Sequence, residues 1–206
     1  MSEPAQDRDG MVDVVFPLAG AGLARDHALA LAQALGAALP WLANEPGVGV
    51  HPIKVVPGLE PRALLSNRAR LLLRVPASRA GALGALAHRV LEVGGDTLRL
   101  GVPHTRVLLA HATLYAYSVA AASDDELLFM QAVAGELEAL KIRGHRVCGK
   151  RRHIAGPASA IDCFSLMLHG LTPAHSLRLQ NRGVGAHRLL GCGVFVPHKS
   201  AAAVGA

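Results

Sequence analysis

Met11-Val-Asp-Val-Val-Phe-Pro-Leu18, then Gly20-Ala-Gly22, then Arg25 to Leu42 carrying Leu31, Leu35 and Leu39: this stretch decides the fold. Its first eight residues are rich in β-branched side chains and read as a strand, ended by the glycines. The period then changes. Leucines four apart, with Ala28, Ala32 and Ala38 beside them, predict a helix from Arg25 to Leu42.

Outward from this pair, Asn44 to Gly49 reads as a turn, and Val50 to Val56 and Arg68 to Val75 read as two strands. Pro76 is placed to open a second helix at the position where its missing N–H costs nothing. Leu83, Leu86, Ala87 and Val90 would form its apolar face, and Thr97 to Val102 a further strand. The second half repeats the order. Ala112 to Val119 reads as a strand, and Ser123-Asp-Asp-Glu126 as a capping box. The helix after it would bury Leu127, Met130, Val133, Leu137 and Leu140 and end at Gly144 in a left-handed cap. Arg146 to His153 and Ile161 to His169 read as a strand pair, Thr172-Pro173 as a helix start, and Cys192 to Val196 as the last strand.

Both halves therefore read βαββαβ, the ferredoxin-like or RRM-like order of an α+β fold. The expected domains are 11–103 and 110–199, joined near Pro103 to Leu109, each of about 100 residues. Aromatic residues make up 3% of the chain, so the cores must be aliphatic. Cys148, Cys163 and Cys192 are odd in number and lack CxxC spacing, which argues for reduced core thiols and against a zinc site. No apolar run reaches the roughly 18 residues that span a membrane. The polar first ten residues do not resemble a signal peptide, and a cytoplasmic location is expected.

Charge is unevenly placed. Residues 1–103 hold 10 Lys+Arg against 9 Asp+Glu, whereas from Lys141 onward 10 basic residues meet one acid, Asp162. A one-signed field of this kind suits a polyanion, because basic side chains displace counterions condensed on phosphates. The densest run is Lys141, Arg143, Arg146, Lys150, Arg151 and Arg152, with Arg151 and Arg152 on opposite strand faces. A solvated strand end is the alternative.

Near the end lies Gly183-Val-Gly-Ala-His-Arg-Leu-Leu-Gly-Cys-Gly193. Gly183, Gly185, Gly191 and Gly193 permit positive φ and close approach of backbone to a ligand, with Arg188 between the two pairs. The loop follows a helix and opens a strand, so a dinucleotide fingerprint is excluded by context. A flexible turn is the bland alternative. Gly183-Val-Gly185 with Gly191-Cys-Gly-Val-Phe195 resembles the signature of the RAMP superfamily, the repeat-associated mysterious proteins of CRISPR systems. The wider stretch from Ser176 to Lys199 is similar to the end of the pre-crRNA endoribonucleases, the Cas6 family, in the variant attached to Myxococcus-type class 1 systems.

The resemblance implies metal-independent cleavage of CRISPR repeat RNA without a cofactor. The 2′-hydroxyl attacks the adjacent phosphate, leaving 2′,3′-cyclic phosphate and 5′-hydroxyl ends. It also implies other subunits of a class 1 effector complex as further partners, and no membrane. Such chemistry needs a group that moves a proton near neutral pH and cations for the pentacoordinate charge. Among 11 histidines, His27 is the candidate. It is expected in the first turn of the first helix, where free N–H groups favour phosphate, and the resembled family often places a catalytic histidine there. Arg25 and Asp26 stand beside it, Arg25 as an RNA contact. His51-Pro-Ile-Lys54 is expected in a strand, with Lys54 as catalytic partner. Arg188 and Lys199 join the RNA-binding set. Tyr115 and Tyr117 alternate on one strand and are read as packing on a half-buried sheet rather than as a base platform. The competing function is a non-catalytic RAMP subunit that holds crRNA in an effector complex.

Overall fold

Alternation along β1 (Met11–Ala19) sends Val12, Val14, Phe16 and Leu18 into a core, while Asp13 and Pro17 take the other face. The computed structural model describes residues 10–58 and 61–198. It divides into two units, Met1–Val107 and Leu108–Ala206.

In the first unit, β2 (Gly22–Ala24) precedes α1 (Ala28–Ala38). There follow β3 (Gly49–Val50), β4 (Val56–Pro57), β5 (Arg62–Leu64), β6 (Arg70–Pro76), β7 (Val90–Val93), β8 (Asp96–Leu100) and β9 (His104–Val107). The main sheet runs β3-β6-β1-β8-β7, all antiparallel, with β9 also on β1. β9 pairs Val12 to Val15 and β8 pairs Leu18 and Ala19. Pro17 falls at this changeover of partners, where a missing N–H breaks no ladder bond.

Several expectations need correction. The first helix is shorter than Arg25 to Leu42. Pro40 bars helical backbone at Leu39, which adopts φ −140° and ψ 79°, and a separate 3-10 helix covers Pro40–Ala43. The glycine turn before it contains β2, which pairs with β5 in a small sheet β2-β5-β4. Val50 to Val56 is not one strand: only its two ends pair, with different sheets. Ala77–Leu86 is a 3-10 helix, whose three-residue period aligns buried Leu83 and Leu86. Val90 lies in β7, a hairpin partner of β8 around Gly94-Gly95, both at positive φ.

The second unit consists of β10 (Thr113–Ala120), α2 (Glu126–Ala139), β11 (His145–Ile154), β12 (Ile161–His169), α3 (Pro173–Arg182) and β13 (Val196–Pro197). Its sheet order is β11-β12-β10-β13. The second unit's strands run second, third, first, last, the antiparallel ferredoxin-like arrangement; in the first unit β3-β6-β1 repeats its second, third, first part, and β8, with its hairpin partner β7, and β9 share the remaining edge of β1. Leu114, Ala116, Leu166 and Leu168 meet Phe129, Val133 and Leu137 of α2 in the core, where the Phe129 and Phe164 rings stack at 4.8 Å.

The cap of α2 differs from the expected box. Asp125, not Ser123, is the N-cap, accepting from the N–H groups of Leu127 and Leu128. The buried stripe turns accordingly: Phe129 faces inward and Leu127 is 75% exposed. The left-handed residue after the helix is Lys141, not Gly144. Thr172 caps α3 through the His175 N–H, with Pro173 at the first helical position. The final strand is only Val196–Pro197, although Cys192 to Phe195 before it are buried.

Candidate functional site

His27 is the N-cap of α1, one position before the first turn in which it was expected. Pairing of β2 with β5 and the Arg25 N–H bond to the Pro61 carbonyl at 3.0 Å set the approach. The Leu31 N–H then bonds the His27 carbonyl at 2.8 Å and starts the helix. The ring is 7% exposed, and Nδ1 lies 3.0 Å from the Ala24 carbonyl oxygen. A carbonyl only accepts, so this contact places the proton on Nδ1 and makes Nε2 the basic atom of the neutral ring. No side chain caps the helix here, so its first N–H groups keep their capacity to bind an anion.

Lys54 is exposed and lies in the irregular segment 51–55, not in a strand. No hydrogen bond or ion pair joins it to His27 among the described residues. Arg25 and Asp26 are exposed beside His27.

Sequence reasoning missed a buried polar cluster in this unit. Asp13 accepts from Arg74 Nε at 2.8 Å and Nη2 at 3.2 Å, from Arg106 Nη2 at 3.2 Å, and from His51 Nε2 at 3.1 Å. Asp13 and Arg74 are 2% and 1% exposed. Burial alone would raise the Asp13 carboxyl, but bonds from His51 and Arg74 and the Arg74 charge outweigh it and hold the group well below the usual carboxylate range. Burial pushes His51 below its ordinary value against the pull of Asp13, so the ring is neutral and donates through Nε2–H. The signal was an acid inside Val12-Asp-Val-Val15 and an arginine inside Leu72-Leu-Arg-Val75.

In the second unit, Lys141, Arg143 and Arg146 come together with His175 and Arg178 around a cavity of about 660 Å³ between α2 and α3, with Glu138 the one acid in its wall. Arg178 Nη1 donates to the carbonyls of Leu140 at 3.4 Å and Lys141 at 3.3 Å, closing the end of α2. His175 and Arg178 escaped the sequence reading because neither stands in the basic run. Lys150, Arg151 and Arg152 are exposed on β11. Arg151 meets Asp124 at 3.0 Å and Asp162 at 3.4 Å, and His153 meets Asp162 at 3.0 Å, so part of this charge is already balanced.

The glycine loop has a definite shape. Gly183, Gly185, Gly191 and Gly193 all have φ between 64° and 83°. Their N–H groups turn inward, to the Leu179 carbonyl, the Glu136 carboxylate, the Arg188 carbonyl and the Ser118 carbonyl. They do not face outward to phosphate, as the sequence suggested. Arg188 also folds in, its Nη1 donating to the carbonyls of Arg182 at 3.0 Å and Gly193 at 3.1 Å. A Cβ on Gly183 would collide with that guanidinium, and one on Gly193 with the Val184 backbone. Ala186 and His187 form the exposed tip, His187 itself at φ 62°. Cys192 lies under the loop with its Sγ 3.8 Å from that of Cys163. Cys148 is half-buried and packs against the edge of the second unit's core. Lys199 lies outside the described residues.

A family model described as Cas6 Crispr matches residues 12–200. The CRISPR-associated endonuclease Cas6 of Myxococcus xanthus (strain DK1622) is 35% identical over 194 residues, covering 94% of this chain and 84% of that protein. Among solved structures, a CRISPR associated protein Cas6 superposes with a TM-score of 0.65 at 10% identity, covering 92% of this chain and 100% of that one. A Cas6-related protein from Pyrococcus furiosus gives 0.62 at 12% identity, covering 91% and 98%. No helix among the described residues is long and apolar enough to cross a membrane.

Proposed function

The chain belongs to the Cas6 family of CRISPR proteins, and from that membership we propose that it is the endoribonuclease that cuts CRISPR repeat RNA to release mature crRNA. The reading of its chemistry rests on one observation: the Ala24 carbonyl fixes the His27 tautomer so that Nε2 is basic, at a helix start suited to phosphate. His27 Nε2 takes the proton of the 2′-hydroxyl as that oxygen attacks the adjacent phosphorus. The P–O5′ bond breaks and the departing O5′ takes a proton from water, giving a 2′,3′-cyclic phosphate and a 5′-hydroxyl, while the protonated His27 returns its proton to solvent. The α1 N–H groups, Arg25 and Lys54 supply positive charge for the pentacoordinate phosphate. No metal takes part in this scheme.

Binding belongs to the basic second unit. Lys141, Arg143 and Arg146 at the cavity mouth, and Lys150 and Arg152 on β11, contact phosphates of the repeat stem. Arg151, shared between two carboxylates, contributes less. The glycine loop offers its Ala186–His187 tip to the RNA, with Gly183, Gly185, Gly191, Gly193 and Arg188 holding its shape. Lys199 adds a positive charge to the proposed RNA-binding set. A transcript as substrate implies action in the cytoplasm, with other subunits of a class 1 complex receiving the product.

The test is incubation of repeat RNA with the protein in EDTA and mapping of the product ends. Cleavage to the stated ends is expected. His27→Ala should lower the cleavage rate by about 10²–10⁴ while RNA affinity is kept, and a 2′-deoxy nucleotide at the cut should stop the reaction. RNA binding without cutting by the wild type would sink the nuclease reading in favour of a non-catalytic subunit.

A further inference from the structure

The outer face of the second unit's sheet, opposite the core, carries rings. Register places His145, His169 and Thr113 side by side across β11, β12 and β10, with Val147, Met167 and Tyr115 in the next row. His145 and His169 stack at 4.9 Å with planes 23° apart. Tyr117 meets Tyr115 edge-on at 5.0 Å, and His198 lies 5.3 Å from Tyr115 on the far side. Tyr115 is half-buried, as read from the sequence, whereas Tyr117 is 41% and Val147 43% exposed.

Among the described residues no acid stands within this row of rings. Arg152, paired with Cys163, projects from the same face, and Lys150 lies in the bulge beside it. Rings flanked by cations match the two parts of a nucleotide, a flat base and an anionic phosphate. In the middle of the face Val147 and Met167 are apolar and offer no cation to a duplex's phosphates, whereas unpaired bases stack on such a face.

We propose that the outer face of the β11-β12-β10 sheet binds unpaired bases of single-stranded RNA, with Tyr115, Tyr117 and the His145–His169 pair as the stacking surface and Lys150 and Arg152, already assigned to stem phosphates, marking the junction where stem passes into single strand. This deepens the reading of the chain as an enzyme on repeat RNA, adding a single-stranded segment to the stem contacts. It does not depend on catalysis.

The experiment uses the full chain and two probes: a roughly ten-nucleotide single-stranded RNA carrying 2-aminopurine, whose fluorescence falls on stacking, and a repeat stem-loop without flanks. Wild type should quench the single strand, and an abasic strand of equal length should bind more weakly. Tyr117→Ala and His145→Ala, both at exposed positions, should each weaken the single strand roughly 5- to 100-fold and leave stem-loop affinity unchanged. Tyr117→Phe should retain binding. Wild-type affinity in both alanine variants, equal binding of the abasic strand, or equal losses on both probes would overturn the proposal. The first of these is the result a protein-docking face would give. Cleavage of repeat RNA, read separately, decides the nuclease reading: stacking that persists in a protein unable to cut supports the platform and not the enzyme.

Discussion

Replacing Asp13 by alanine tests the buried cluster. Arg74 is 1% exposed and reaches Asp13 through two nitrogens, at 2.8 and 3.2 Å. Removing the carboxylate leaves a buried guanidinium without its counter-charge, which costs about 3–5 kcal/mol. Arg106, 57% exposed at its side chain, adds little because water screens it. For a chain of this length, about 2–4 °C is lost per kcal/mol, so the melting temperature should fall by roughly 6–20 °C. Thermal unfolding followed by circular dichroism at pH 7 reads this directly. A fall of less than about 2 °C would refute the argument, because it would mean that the pair is not holding buried charge in balance. Acid titration gives a second reading. His51 has a lowered folded value, so its contribution is complete above about pH 6.5 and declines as pH falls below it, while the Asp13 contribution persists until pH falls below about 3.9. His51→Gln should flatten the stability profile just below about pH 6.5, while a loss below about 3.9 remains, because Arg74 also holds Asp13 ionised.

Gly193→Ala places a methyl against the Val184 backbone at φ 64°, so loop order and RNA affinity should fall together, read by limited proteolysis and filter binding. Asp125→Ala removes the N-cap of α2 and should cost about 0.5–2 kcal/mol in urea unfolding, whereas Ser123→Ala should cost less. Arg152→Ala should reduce the salt slope of RNA binding by about 1, and Arg151→Ala by less, since Asp124 and Asp162 already face it.

Element order was legible because it depends on periodicity. The strand at Met11, the leucine spacing of α1 and the Thr172-Pro173 helix start are local signals, and each lies where the sequence puts it. Errors arose where local signals competed. Ser123 and Asp125 are both capable caps, and only the packing of Phe129 selects between them. Pro40 overrode a leucine period that continued past it. The cluster at Asp13 could not be paired from sequence, since its partners are 38, 61 and 93 residues away. For the candidate site, the place of His27 at the start of α1 was legible to within one residue, but the Ala24 bond that fixes its tautomer depends on a backbone turn that no spacing predicts. Arg188 was misjudged because its sequence neighbours suggested an outward cation, while the loop closes around it.

The inward-turned N–H groups of the glycine loop carry a thermodynamic consequence. A flexible glycine segment would lose much conformational freedom on gripping RNA, and that loss would oppose binding. Here the freedom has already been given up during folding, so the proposed association through the Ala186–His187 tip would carry only a small ordering cost. In that proposed role the loop is preorganised, and its glycines would act on the stability of the free protein as much as on its affinity.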